Sequence, residues 1–310
     1  MKIAIFGAAG FIGTNLTYKL LDNSQNELVL FDKDLSTYSS FEKADKLKIV
    51  EGDFSSPQDY DEFLENQDLV FHLISSTVPA SKGIGLVQEI QENVINTIYL
   101  LDTCIKRHVK RVIFLSSGGT VYGKDYTEPF REEQKTNPIS SYGLQKVTIE
   151  NLLYLYHYSY GLDYKIVRLS NPYGPYQRPN GNIGVVTNFI YQALCGDKLL
   201  VYGNGNVVRD FIFIDDAITG ILNIAQDSSH VNVYNLGSGI GVSINDILAE
   251  IQKVLNISAN VVYVDEREVD VPVSILNIER YKNKFFHEEM IDLRNGIIKT
   301  SDYIKRIYNL

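Results

Sequence analysis

The sequence predicts an α/β fold: a doubly wound parallel sheet followed by a smaller C-terminal α/β lobe. Three observations carry this reading. Short apolar strands alternate with helical stretches through the first half. A glycine-rich turn follows the first strand directly, and an acidic residue closes the second. With 310 residues, 45% of them apolar, the chain can bury a large core and still build a second lobe. The expected domains are 1–170 and 171–310, with part of 207–240 returning to the first.

Bulk properties narrow the class. A net charge of −9 argues against a general binder of nucleic acid or anionic membrane. Cys104 and Cys195 have neither metal-ligand spacing nor the makings of a disulfide framework, and no metal site is expected. The chain opens on a strand rather than a signal pattern, and no apolar run reaches the roughly 18 residues of a membrane span. A cytoplasmic protein is the expectation.

The first strand, residues 2–6, runs into Gly7-Ala8-Ala9-Gly10-Phe11-Ile12-Gly13, and a helix follows to about Leu21. Glycines at such a turn allow a tight bend and let the backbone approach a pyrophosphate at the helix N-terminus. Gly7, Gly10, Phe11, Ile12 and Gly13 are therefore candidate cofactor contacts; the blander alternative is a packing turn. The second strand, residues 27–32, ends in Asp32, 19 positions after Gly13. A carboxylate there accepts hydrogen bonds from a ribose diol and repels a 2′-phosphate, so NAD is expected rather than NADP. Lys33 stands beside it. The third strand, at 48–50, leads to Asp53 and Phe54, candidates for the adenine edge, although Asp53 reads equally as a solvated loop acid.

The run 68–74 is a buried strand ending at Leu73 and Ile74, with Ser75, Ser76 and Thr77 at the carboxyl edge, where open parallel sheets bind ligands. His72, inside the apolar run, reads as a core histidine. A helix is expected at about 86–107, carrying Asn93. The strand at 111–115 opens into Ser116-Ser117-Gly118-Gly119-Thr120-Val121-Tyr122-Gly123, whose hydroxyls suit a sugar oxygen.

Next comes a helix over about 141–160. Tyr142 and Lys146 stand one helical turn apart on the same face. A free phenol, with pKa about 10, is a poor base at neutral pH. A fixed cation ~4.5 Å away at an effective dielectric of ~20 is worth roughly 3–4 kcal/mol, enough to lower that pKa by roughly two to three. Such a pair can take a proton from an alcohol. On an ordinary helix the same spacing is only a surface Tyr and Lys. The tyrosine-rich stretch 154–160 reads as helix packing.

Taken together, Gly7–Gly13, Ser116–Gly123, Tyr142 with Lys146, and Ser170-Asn171-Pro172-Tyr173-Gly174-Pro175 resemble the extended short-chain dehydrogenase/reductase family. Within it, the nucleotide-sugar epimerase/dehydratase branch of UDP-glucose 4-epimerase type is most similar, over nearly the whole chain. The resemblance implies a Rossmann-type NAD domain and a substrate lobe. It assigns Tyr142 as the base, and Asn93 and Lys146 to the nicotinamide end, Lys146 through ribose hydroxyls. Asn171, and less firmly Asn180, would bind substrate. A lobe helix is expected within 181–196, preceded by a loop. Arg209, in the run 207–216, would pair with the diphosphate, since guanidinium forks suit phosphate oxygens. Arg267 and Asp270 match the family's late Arg-x-x-Asp, and Ser274, four beyond, would wall the pocket near the sugar 2-position, leaving room for an N-acetyl group.

One departure stands out. Relatives place a catalytic Ser or Thr where this chain has Gly118. Ser117 or Thr120 would then supply the hydroxyl, or the chemistry differs. The resemblance implies an NAD-dependent 4-epimerase of a UDP-hexose, of the kind that serves polysaccharide biosynthesis, working through a transient 4-keto sugar. The alternatives are an NAD(P)H-dependent nucleotide 4-keto-6-deoxyhexose reductase and a non-catalytic dinucleotide sensor. A homodimer through the helices at 86–107 and 141–160 is expected.

Overall fold

Strand β1 (Lys2–Phe6) is buried from its second residue onward, and β2 (Glu27–Asp32) is buried through its middle four. Strands sealed on both faces read as unbroken apolar runs, which is why the sequence shows no alternation here. The structure is a computed structural model describing residues 1–36, 38, 46–77, 85–124, 129–179, 184–265, 271–285 and 289–310. Two compact units emerge. One comprises Met1–Ser116, Ser141–Val167 and Leu222–Tyr234; the other comprises Ser117–Ser140, Arg168–Ile221 and Asn235–Leu310.

After β1 come α1 (Phe11–Leu21), β2, β3 (Leu47–Glu51) and β4 (Leu69–His72). Then follow α2 (Leu86–Glu89), α3 (Asn96–Lys106), β5 (Arg111–Ser117), α4 (Ser141–Tyr160) and β6 (Asp163–Leu169). With β10 (Val233–Leu236) the strands form a seven-stranded sheet in the order β10-β6-β5-β4-β1-β2-β3. The pairs β1–β2, β2–β3, β1–β4 and β4–β5 are parallel. The chain winds outward from β1 in one direction, then restarts beside β1 with β4 and winds the other way. This reversal makes the crevice at the carboxyl ends of β1 and β4 the place where a ligand can sit.

The core of this unit is aromatic: the Phe6 ring centroid lies 5.0 Å from Phe31, 5.3 Å from Tyr60 and 6.1 Å from Phe54. Two details depart from the sequence reading. The stretch 86–107 is not one regular helix: a π-helical turn, Ile90–Ile95, separates α2 from α3. Such a turn is defined by its backbone hydrogen bonds, which residue types over a six-residue stretch do not specify. In α4 only Tyr156 of the tyrosine run is buried, its hydroxyl 2.5 Å from Asp102 Oδ1; Tyr154, Tyr158 and Tyr160 are exposed.

The other unit is built on β9 (Val208–Phe213). It pairs with β7 (Asn171–Tyr173) and β13 (Val273–Ser274) in parallel and with β11 (Gly241–Ser243) antiparallel. A parallel pair, β8 (Lys198–Tyr202) and β12 (Asn260–Val264), lies apart from it. Helices α5 (Val185–Cys195), α7 (Ile244–Leu255) and α9 (Leu293–Tyr308) pack on one another; α6 (Ile214–Ala225) and α8 (Glu279–Phe285) complete the set. The expected helix within 181–196 is α5, which stops at Gly196, whose φ of +74° suits a residue without a side chain. A reciprocal Ser243–Asp246 capping box starts α7.

Candidate functional site

The glycine turn is shaped by close backbone approach. Gly7 has φ +89°, and a Cβ on Gly13 would lie 2.1 Å from the Gly7 carbonyl oxygen. Helix α1 therefore begins against the turn itself, and Gly10 caps it without a side chain. Phe11 and Ile12 are half-buried beside it. The Asp32 carboxylate accepts hydrogen bonds from Ala9 N (2.9 Å) and Lys33 N (2.8 Å), which fixes its position at the strand end. Lys33 reaches away to Asp53 at 3.4 Å. Asp53 also accepts from Ser55 N and Oγ, and these bonds hold its carboxyl below the ordinary range. The Phe54 ring is buried in the aromatic core, so only its backbone remains for an adenine edge. Leu73 continues from β4, its N–H bonded to Phe6 O at 3.0 Å. Sequence gave no sign of Tyr38, a buried residue whose hydroxyl donates to Ala8 O (2.9 Å) and so ties the turn from outside. A tight turn, a helix start with no side-chain cap and a fixed acid fit a dinucleotide with a free ribose diol.

At the other end of the crevice, α4 presents its first turn to a narrow recess lined by Ile74, Ser75, Asn93, Tyr142, Gln145 and Lys146, among others. Lys146 is 5% exposed and donates to Leu115 O at 2.9 Å. Its Nζ lies 4.8 Å from the Phe114 ring centroid and 5.5 Å from that of Tyr142. Burial lowers the Lys146 pKa to about 8, with Glu150, one turn further on, opposing the drop. Glu150 is itself buried and accepts a 2.5 Å hydrogen bond from Ser116 Oγ. Ser116, read from sequence among the hydroxyls suited to a sugar oxygen, thus spends its proton on Glu150, which the sequence reading passed over.

Asn93 lies on the π-helical turn. Its Oδ1 accepts from Ser76 N (2.9 Å), and its Nδ2 donates to Ser76 Oγ (2.9 Å) and Glu89 O (3.0 Å). His72 is a neutral core histidine, as its apolar run predicts: burial, with Lys146 nearby, drives its pKa down to about 3. Thr97 spends its proton on Asn93 O (2.6 Å), so it accepts from His72 Nε2 at 2.8 Å, which assigns the tautomer.

The remaining candidates lie in the second unit, apart from Ser116. A Cβ on Gly118 would meet Leu276 Cδ1 at 2.4 Å, and Leu276 is only 2% exposed. The missing hydroxyl at 118 thus has a physical reason: Leu276 fills the space. Ser117 is half-buried, and Thr120 Oγ1 is buried with no hydrogen-bond partner among the described residues. Asn171 Nδ2 donates to Asp210 O (2.8 Å), and Arg209 Nη1 to Val208 O (2.9 Å) and Val271 O (2.5 Å). Ser274 is 4% exposed, its Oγ 4.0 Å from where a Cβ on Gly119 would stand. Asn180, Arg267 and Asp270 lie outside the described residues.

Beside Arg209, the sequence reading passed over Asp210. It is buried and accepts from Ser238 N (2.8 Å), Ser238 Oγ (2.9 Å), Gly239 N (3.1 Å) and Leu276 N (3.3 Å). Its only sequence signal is its place next to Arg209.

Comparison with known proteins agrees with the fold. The sequence model of the NAD dependent epimerase/dehydratase family matches residues 3–237. The crystal structure of UDP-glucose 4-epimerase from Thermotoga maritima, with UDP-glucose, superposes with a TM-score of 0.91 at 30% identity, covering 99% of this chain and 100% of that one. UDP-glucuronic acid 4-epimerase from Bacillus cereus, in complex with UDP-glucuronic acid and NAD, gives a TM-score of 0.91 at 28% identity with the same coverage. The dTDP-4-dehydro-6-deoxyglucose reductase of Escherichia coli is 30% identical over 96% of this chain and 95% of its own.

Proposed function

The chain belongs to the NAD dependent epimerase/dehydratase family, and on that footing we propose that it is a 4-epimerase of a UDP-hexose. The observation that carries the reading is the Tyr142–Lys146 turn, set at a recess with the ammonium buried against it. Bound NAD supplies the acceptor, and later the donor, of the hydride at the sugar C4. Tyr142 takes the proton of the 4-hydroxyl and returns it. Lys146 holds the ribose hydroxyls and supplies the charge that favours a tyrosinate, while Asn93 holds the nicotinamide end. Gly7, Gly10 and Gly13 admit the pyrophosphate, and Asp32 takes the ribose diol.

For the sugar hydroxyl we assign Thr120 ahead of Ser117, because its buried Oγ1 has no other partner among the described residues. Asn171 and Arg209 are assigned to the diphosphate side. Asn180, Arg267 and Asp270 keep the substrate roles their motif implies. Ser274, small and buried, is assigned to the wall near the sugar 2-position, and the assignment rests on its size rather than on a visible opening for an N-acetyl group. We also propose an isologous homodimer through α3 and α4, where Tyr99, Tyr154, Leu155 and Tyr158 are exposed.

The test is direct. Purified protein is given UDP-glucose, UDP-galactose and UDP-N-acetylglucosamine without added cofactor, and its mass is measured by light scattering. Interconversion at the sugar C4 by a dimer is expected. The reading fails if no UDP-hexose turns over. A second reading, a nucleotide 4-keto-6-deoxyhexose reductase, is favoured by Gly118 together with the E. coli reductase similarity. It requires stoichiometric consumption of NADH or NADPH with a 4-keto-6-deoxy sugar nucleotide.

A further inference from the structure

We infer that Gln145 and Glu89 form a positioning couple that locks the first turn of α4 to the π-helical turn carrying Asn93. Gln145 lies between Tyr142 and Lys146 in sequence and lines the same recess. Its Nε2 donates to Glu89 Oε2 at 2.7 Å, and its Oε1 accepts from Thr77 Oγ1 at 3.2 Å. Both Gln145 and Glu89 are 2% exposed. Glu89 is thus held from two sides: α4 bonds its carboxylate, and Asn93 Nδ2 bonds its carbonyl. Thr77 adds the loop after β4, which also carries Ser76, the other partner of Asn93.

The energetics point to placement rather than bulk stability. A buried carboxylate is costly to desolvate, and an apolar pair of similar volume is often as stable or more so. What the pair adds is a short, directional bond, 2.7 Å from Gln145 Nε2 to Glu89 Oε2. That bond fixes the register of α4 against Glu89, whose carbonyl accepts from Asn93 Nδ2. Misplacing such groups by about 1 Å can cost ~10²-fold in rate.

This inference rests on the roles proposed above for Tyr142, Lys146 and Asn93 toward NAD. Its test is NAD titration into cofactor-stripped protein, joined to kcat and KM for UDP-hexose. Gln145→Leu and Glu89→Leu should each weaken NAD binding about 10-fold and lower kcat ~10–100-fold, with KM for the sugar nucleotide within about 3-fold. The double variant should be no worse than either single one, since both break one coupling. Glu89→Gln, whose amide oxygen still accepts from Gln145, should restore most of both losses. If the leucine variants only melt earlier, with wild-type NAD affinity and kcat below the transition, the couple is structural and the inference is wrong. Additive losses, or a Glu89→Gln variant as impaired as Glu89→Leu, overturn it equally. Should Glu89→Leu not fold, Gln145→Leu and Glu89→Gln carry the same comparison. Because NAD binding is read without turnover, a wild type inert on UDP-hexoses counts against the proposed substrate and leaves the coupling to stand or fall by itself.

Discussion

Two buried charges, one in each unit, sit beside residues that sequence marks as functional, and they are treated in opposite ways. Asp210, next to Arg209, is saturated: four donors from two separate segments converge on its carboxylate. Lys146, next to the recess, makes one hydrogen bond among the described residues and otherwise faces the rings of Phe114 and Tyr142. Saturation removes a charge from chemistry and turns it into a tie between β9 and the segments after β10 and β13. Burial shifts both groups, raising Asp210 and lowering Lys146 to about 8, but only the under-satisfied lysine keeps donor capacity for a ligand. Under the roles proposed above, how fully a buried charge is bonded distinguishes framework from reaction centre, where burial alone does not.

The sharpest test of this contrast is at Tyr142. Tyr142→Phe removes only the phenolic oxygen, so turnover should fall ~10²–10⁴-fold while bound NAD and thermal stability stay close to wild type. Near-normal turnover would show that the pair beside the recess is not the reaction centre. On the framework side, Asp210→Ala strands the N–H groups of Ser238, Gly239 and Leu276, and a loss of about 3–5 kcal/mol in chemical denaturation is expected. A loss below about 1 kcal/mol would mean the four bonds are not a tie.

Lys146→Met should act in the reverse sense, losing activity but gaining stability at pH 7. The folded-state pKa lies below that of the unfolded chain, so the folded protein binds fewer protons between about pH 8 and 10.5, and wild-type stability rises with pH across that window. At pH 7 the wild type bears the full cost of burying the ammonium, up to about 3 kcal/mol as an order of magnitude, part of which the Leu115 carbonyl loses again in the variant. The advantage of methionine should therefore shrink as pH is raised above 8. An advantage that grows with pH would contradict the assignment. The smallest expected effect tests the space at 118: Gly118→Ser should cost about 1–3 kcal/mol through Leu276, and Leu276→Ala in the same chain should relieve that clash. Equal melting of Gly118→Ser and wild type would show that Leu276 yields freely.

Sequence by itself determined what local spacing encodes. The glycine turn after β1, the acid closing β2 and the one-turn separation of Tyr142 and Lys146 are each set within a few residues, and chain geometry converts that spacing directly into position. The doubly wound order followed from the alternation of buried strands and helices, because parallel neighbours need such crossovers. Only the tertiary structure decided the long-range pairings: Leu276 over Gly118, Glu89 with Gln145, Ser238 and Leu276 on Asp210, and Tyr38 on the glycine turn. The π-helical turn under Asn93 also escaped, since it is set by backbone hydrogen bonding and not by any residue type at 90–95. These features depend on which distant segments meet, and a hydrogen bond or a filled space between residues 56 or 158 positions apart leaves no periodic trace in the chain.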